Sequence, residues 1–144
     1  MANDMRTRVL LLVAPVVVVG SMLGTPSATA DDSACSSVGQ YCSFYSPSRN
    51  ISCEINTGGR VGQDSVYCQT VTPPQSVTMD PTGAFQSCSG VSCLGNPGQG
   101  TATLPYGQSR ALGPFQCLSA ENGVTCTAAG RGFLISRSGI ATAA

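Results

Sequence analysis

The chain has 144 residues, with seven basic and seven acidic side chains, a formal net charge of zero, eight Cys and neither His nor Trp. Every cation is an Arg, and there is no Lys. A nucleic-acid partner needs a basic patch for phosphates, and electrostatic attachment to anionic lipid needs clustered Lys or Arg, so this balance argues against both.

Residues 1–30 are expected to be a cleaved signal peptide. Arg6 and Arg8 form a basic start, Val9 to Val19 is an apolar run interrupted by Pro15, and Ala28-Thr29-Ala30 is an A-x-A cleavage site. A membrane span needs about 20 apolar residues, and this run is shorter, so no stable membrane anchor is expected after cleavage. Cys35 stands four residues behind Asp31 rather than at the cleavage point, which disfavours a lipid-anchored form. Residues 31–144 then carry five Arg and six acids, a formal charge of −1, on one domain's length of chain.

All eight cysteines, Cys35, Cys42, Cys53, Cys68, Cys88, Cys93, Cys117 and Cys126, follow the expected cleavage site. An even count in a small exported chain implies paired disulfides. The competing reading is a metal site. Cys88 and Cys93 have a spacing within the zinc-finger range, but there is no His, no C-x-x-C and no matching second pair. No metal and no cofactor is expected.

Residues 31–43 read as an N-terminal arm pinned by Cys35, although Tyr41 to Tyr45 already alternates as a strand does. Ser46-Pro-Ser-Arg49 is a turn, with Pro presetting φ. Ile51–Ile55 and Val66–Val71 are the next strands, separated by the Gly-rich loop 56–64 and ended by Pro73-Pro74. Setting Cys53 opposite Cys68 places Ile55 against Val66 and Ile51 against Thr70, with Glu54 and Tyr67 on the other face. A one-residue slip would turn Glu54 inward, so this register is well specified. Setting Cys42 opposite Cys53, with Phe44 facing Ile51, works almost as well, and spacing does not settle the connectivity.

Residues 75–100 read as short strands or irregular segments tied by Cys88 and Cys93, with a turn at Met79–Gly83. Thr101–Leu104 is expected to be a short strand. Phe115–Ser119 and Val124–Ala128 form a hairpin across Ala120-Glu121-Asn122-Gly123, with Asn-Gly supplying positive φ. That register opposes Cys117 to Cys126 and predicts a bond between them at a non-hydrogen-bonded pair, where strands come closest. Phe133–Ile135 is a last strand, and Gly139–Ala144 a frayed tail. No 3.6-residue apolar stripe runs for ten residues. The class expected is all-β, a small disulfide-stapled sandwich or barrel of short antiparallel strands, over 44–140, with 141–144 as tail. A faint echo links Ser46–Cys53 to Ser119–Cys126.

Five motifs in order, Phe44–Cys53, Val66-Tyr-Cys68, Leu104-Pro-Tyr-Gly107, Gly123-Val-Thr-Cys126 and Gly130–Arg137, resemble an uncharacterised secreted domain family of mycobacteria and other actinobacteria. The resemblance spans about residues 44–140. It implies an exported all-β envelope protein with no assigned activity. Such domains usually carry the cysteines matching Cys53, Cys68, Cys117 and Cys126 and often lack those matching Cys35 and Cys42. The resemblance therefore favours Cys35–Cys42 and Cys53–Cys68 as pairs. Where the family often has Cys-x-Gly-Asp, this chain has Cys93-Leu-Gly-Asn96.

The chemistry available is narrow. Without His, Ser/His and Cys/His nucleophile pairs are excluded, and without Lys so is Schiff-base chemistry. Glu54, Asp64, Asp80 and Glu121 leave a two-carboxylate hydrolase open, but nothing in the sequence brings two of them together. No catalytic residue is named, and the reading leans away from an enzyme. Tyr41, Tyr45, Tyr67 and Tyr106 could stack on a sugar or a partner, though aromatics in a small β-domain more often fill core. Tyr106, Arg131 and Arg137 are the candidate binding residues, and the two Arg are expected to pair with surface acids. The function expected is a non-catalytic binding module, secreted or extracellular and including association with the cell wall, whose partner is an envelope glycan or protein. A carboxylate-dependent envelope hydrolase and a secreted enzyme inhibitor are the alternatives.

Overall fold

The computed structural model describes residues 40–98 and 100–144. The expected signal peptide, the arm as far as residue 39, and Cys35 lie outside the described residues.

Ten strands form two five-stranded sheets. The first is a meander of β1 (Tyr41–Tyr45), β2 (Ile51–Asn56), β3 (Ser65–Thr70), β4 (Gln75–Met79) and β5 (Phe85–Ser89), in that order. The second is a meander of β6 (Ser109–Leu112), β7 (Phe115–Ala120), β8 (Gly123–Ala128), β9 (Arg131–Ser136) and β10 (Gly139–Ala143). All pairings within the sheets are antiparallel. The sheets face each other as a sandwich and do not close into a barrel.

Alternation decides which side chains meet between the sheets. Phe44, Cys53, Ile55, Val66, Cys68, Val77 and Met79 come from the first sheet, and Phe115, Cys117, Val124, Cys126, Phe133 and Ile135 from the second, all buried. Phe85 of β5 meets Phe133 of β9 edge-on, with centroids 5.8 Å apart. Each sheet carries a disulfide between its second and third strands, Cys53–Cys68 and Cys117–Cys126. The Cα atoms of both pairs are only 4.1 Å apart, close to the roughly 4.5 Å of a non-hydrogen-bonded pair and well short of a hydrogen-bonded one. The two bridges touch at the centre of the core, where Cys68 Sγ lies 3.8 Å from Cys126 Sγ. Neither sulfur carries a hydrogen, so this is van der Waals contact.

The register read for β2 and β3 is the one observed, with Cys53 opposite Cys68, Ile55 opposite Val66 and Ile51 opposite Thr70. So is that of β7 and β8, with Cys117 opposite Cys126 and Ser119 opposite Val124. The loop there is tighter than expected. Ala120 pairs Gly123, which leaves only Glu121 and Asn122 at the tip. The alternative opposition of Cys42 to Cys53 does not occur. Cys42 faces Ile55 and Phe44 faces Cys53, because the turn closes between Ser46 and Ile51 with Arg49 at φ 60°, and turn length sets register. Cys88 bonds Cys93. Cys42 is also disulfide-bonded, while its expected partner Cys35 is outside the described residues.

Of the two readings of residues 75–100, short strands hold for 75–79 and 85–89, because Val77 and Met79 turn inward on a sheet whose neighbours supply the remaining apolar contacts. Three other readings change. Ser109–Leu112 is a strand that polar Arg110, itself buried, concealed. Thr101–Leu104 makes only an isolated parallel bridge, Thr103 to Tyr45. Gly139–Ala143 is a paired strand rather than a frayed tail, with Ile140 opposite Ile135 and packed against the core.

The crossover between the sheets positions everything that follows. After a single 3-10 turn at Val91–Cys93, the chain does not pass directly from the β5 edge to the second sheet. It lies across the outer face of the first sheet and reaches the far edge, where Tyr45 N–H donates to Ala102 O at 2.8 Å and Leu104 N–H to Tyr45 O at 2.8 Å. Leu104 then plugs into the core, fully buried, and Gly107 N–H donates to Ser119 O on entry to the second sheet.

Candidate binding surface

Alternation sends Tyr41, Ser43 and Tyr45 of β1, Ser52 and Glu54 of β2, and Tyr67 and Gln69 of β3 to the outer face of the first sheet. Ordinarily such a face is solvated. Here the crossover, residues 90–98 and 100–108, lies over it as a strap, so Ser52 and Gln69 are buried although they point away from the core. Tyr67 Oη donates to Cys93 O at 2.7 Å, Gln69 Nε2 donates to Gly95 O at 3.1 Å, and Gly95 N–H donates back to Gln69 Oε1 at 2.7 Å. A single strand, β3, thereby holds the strap through side-chain bonds that are mutually satisfied.

Between strap and sheet lies a recess of about 50 Å³, lined by Tyr41, Ser43, Glu54, Tyr67, Gly95 and Asn96 among others. Beside it is an open trough of about 450 Å³ bounded by Tyr45, Arg49, Asn50, Gln69, Val71 and Leu94. Ser52, Gln69, Gly95, Asn96 and Pro97 line both, so the two adjoin. Arg49 stacks over the Tyr45 ring, 4.1 Å from its centroid, and donates to Thr103 Oγ1 at 3.3 Å. Arg60 stacks over Tyr41 at 4.0 Å. These pairs hold both rings upright at the rim. The tyrosines expected in the core are thus on the surface, and the core aromatics are Phe44, Phe115 and Phe133. The phenol hydroxyls account for this: they bond to the strap and to Glu54, which a core of cystine and aliphatic groups would not allow.

The named candidates separate. Tyr106 and Arg137 meet in a second cleft, of about 350 Å³, formed where the β1–β2, β7–β8 and β9–β10 turns gather at one end of the sandwich, with Glu121 and Asn122 in its wall. Arg131 is at the opposite end. Its Nε donates to Thr82 O at 2.8 Å and its Nη2 to Thr82 Oγ1 at 3.3 Å. Neither Arg makes the expected ion pair with an acid among the described residues; Thr82 takes the fork of Arg131.

The acids divide the same way. Glu54 is in the recess and Glu121 in the end cleft. Asp64 and Asp80 line a third cleft, of about 450 Å³. Both are engaged in turns: Asp64 Oδ1 accepts from Gly59 N–H, and Asp80 Oδ1 accepts from the Thr82 hydroxyl and N–H. The Thr82 hydroxyl first, then the Thr82 backbone N–H, hold the Asp80 carboxyl below its ordinary range, with Arg131 adding a lesser push. The sulfurs of Cys53, Cys68 and Cys126 lie within 4.8 Å of one another, but each is in a disulfide and has no thiolate to offer a metal.

Reading the sequence missed Gln69 and Arg49 as site residues and weighed Glu54 only as one of four possible hydrolase carboxylates. Alternation put Glu54 and Tyr67 on one outer face, so half the surface was legible. That the strap would roof it was not, since its bonds join residues about 26 apart in sequence. No family model, curated protein or solved structure matches this chain.

Proposed function

We propose that this is an exported binding module of the cell envelope, as the resemblance to secreted actinobacterial domains also implies, and that its ligand lies in the strapped trough. The observation that carries the reading is the lining: tyrosine rings, carboxamides, hydroxyls and the stacked guanidinium of Arg49 on a sheet, open on one side. Ligand sites pair apolar or aromatic walls with a few fixed polar groups in this way, and preorganised walls spare the ordering cost of binding. An envelope glycan or an extended peptide fits such a trough.

A carboxylate-dependent hydrolase has less support. A general acid must hold its proton at working pH, and in the cleft that Asp64 and Asp80 line, Asp80 is lowered instead. An inhibitory loop at Ala120–Gly123 would use the end cleft. Immobilised protein and fractionated envelope glycans and peptides separate these readings. The expected result is retention of a defined fraction that Asn96→Arg, which fills the trough from an exposed position, abolishes and Glu121→Ala leaves intact. The reverse pattern would move the site to the end cleft, and hydrolysis of the fraction would make the protein an enzyme.

A further inference from the structure

Resting on the trough as the ligand site, we infer that its recess takes a primary ammonium group at the end of a flexible arm, of the kind a lysine-like side chain carries, with Glu54 as counter-charge. Glu54 stands on β2 between Ser43 of β1 and Tyr67 of β3, in the middle of the recess wall. The groups around it are already committed. Tyr67 and Gln69 hold the strap, and Arg49 and Arg60 lie on the Tyr45 and Tyr41 rings. The Glu54 carboxylate is the exception. Its one hydrogen bond, from Tyr41 Oη to Oε2, is long at 3.4 Å, and it has no ion pair among the described residues.

A half-buried carboxylate between two tyrosine rings matches a cation that is small and rich in donors. An ammonium offers three N–H groups, which the Glu54 oxygens and the Ser43 and Ser52 hydroxyls lining the recess can accept. Size narrows the choice. The recess, about 50 Å³, is the small neighbour of the trough of about 450 Å³, which suits the tip of an arm whose stem lies outside it. The roof matches this too. Gly95 and Gly98 put no side chain over the recess, and a Cβ on either would come to about 4 Å from Tyr67 Oη or Tyr41 Oη.

The test is a heteronuclear NMR titration of the oxidised protein with Nα-acetyl-lysine N-methylamide. The isosteric norleucine amide, the arginine amide and glucosamine serve as comparison probes. Saturable shifts at Ser43, Glu54, Tyr67 and Gly95 are expected with the lysine probe and not with norleucine. Glu54→Gln, which keeps shape and the capacity to accept from Tyr41, should weaken binding about tenfold or more, the scale of a lost charge-assisted bond, with an unchanged melting curve. Equal shifts with norleucine, unchanged affinity in Glu54→Gln, or shifts confined to the end cleft would overturn the assignment. Glucosamine binding as tightly as lysine would overturn the flexible arm in favour of an amino sugar. Retention of an envelope fraction that is sensitive to Asn96→Arg but not to Glu54→Gln would remove this inference and leave the trough standing.

Discussion

Single residues act here mainly by keeping the turns and close approaches of a small sandwich intact. Asp80 accepts from both the hydroxyl and the N–H of Thr82, which in turn receives Arg131, so one carboxylate ties the β4–β5 turn to β9. Its folded-state pKa is lowered. The stabilisation is therefore complete above the unfolded value of about 3.9 and is lost as pH falls through the folded value. Asp80→Asn is expected to lower the melting temperature at pH 7 and to converge on the wild type as pH falls through the folded value of Asp80. A difference that stays constant with pH would mean that the charge is irrelevant. Gly132 makes a different kind of contribution. A Cβ there would run into the Cys126 carbonyl of β8, and backbone cannot yield as a side chain can. Gly132→Ala should cost roughly 2 kcal/mol or more in a urea melt, and a neutral result would show that β8 and β9 sit farther apart.

At the level of elements, the disulfides divide by burial. Cys53, Cys68, Cys117 and Cys126 are at most 3% exposed, whereas Cys88 is on the exposed β5 edge. Mild dithiol with alkylation is therefore expected to label Cys88 and Cys93 in the folded protein. The four core cysteines should react only as the far-UV spectrum collapses, and early labelling of Cys117 or Cys126 would contradict the packing. The loops closed have separations of 15, 9 and 5 residues, for which chain entropy gives about 3, 2.6 and 2 kcal/mol. These are large fractions of a typical net stability of about 5–15 kcal/mol, so full reduction should unfold the sandwich. The hairpins explain why the bridges form. Cys117 and Cys126 are brought opposite by a two-residue tip, and Gly123 at φ 133° passes under the Ile135 carbonyl, where a side chain would collide.

The molecule as a whole depends on the strap. Without it the sheets would still pair strand by strand, but the outer face of the first sheet would be an ordinary wet surface carrying tyrosines. Leu104 is the anchor, fully buried between the bond to Tyr45 and the entry into the second sheet. Leu104→Ala is expected to cost about 2–4 kcal/mol and to loosen the trough, seen as faster amide exchange at Gly95 and Leu104 than at Cys68 or Cys126. Uniformly faster exchange would show instead that strap and sheets open together.

Local chemistry was sufficient for much of this in the sequence alone. Period-two alternation and the placement of cysteines determined the all-β class, the Cys53–Cys68 and Cys117–Cys126 registers and the division of Tyr and Phe between faces, because a slip of one residue would have turned Glu54 or Gln116 into the core. Tertiary structure decided the rest. Gly139–Ala143 is unremarkable until Ile140 finds Ile135 and the core behind it, and Arg110 hides a strand that only its neighbours define. The tyrosines line a trough only because a crossover of low regularity lies on them. Side-chain bonds between residues far apart in sequence decide where that segment goes, and no local pattern encodes such bonds.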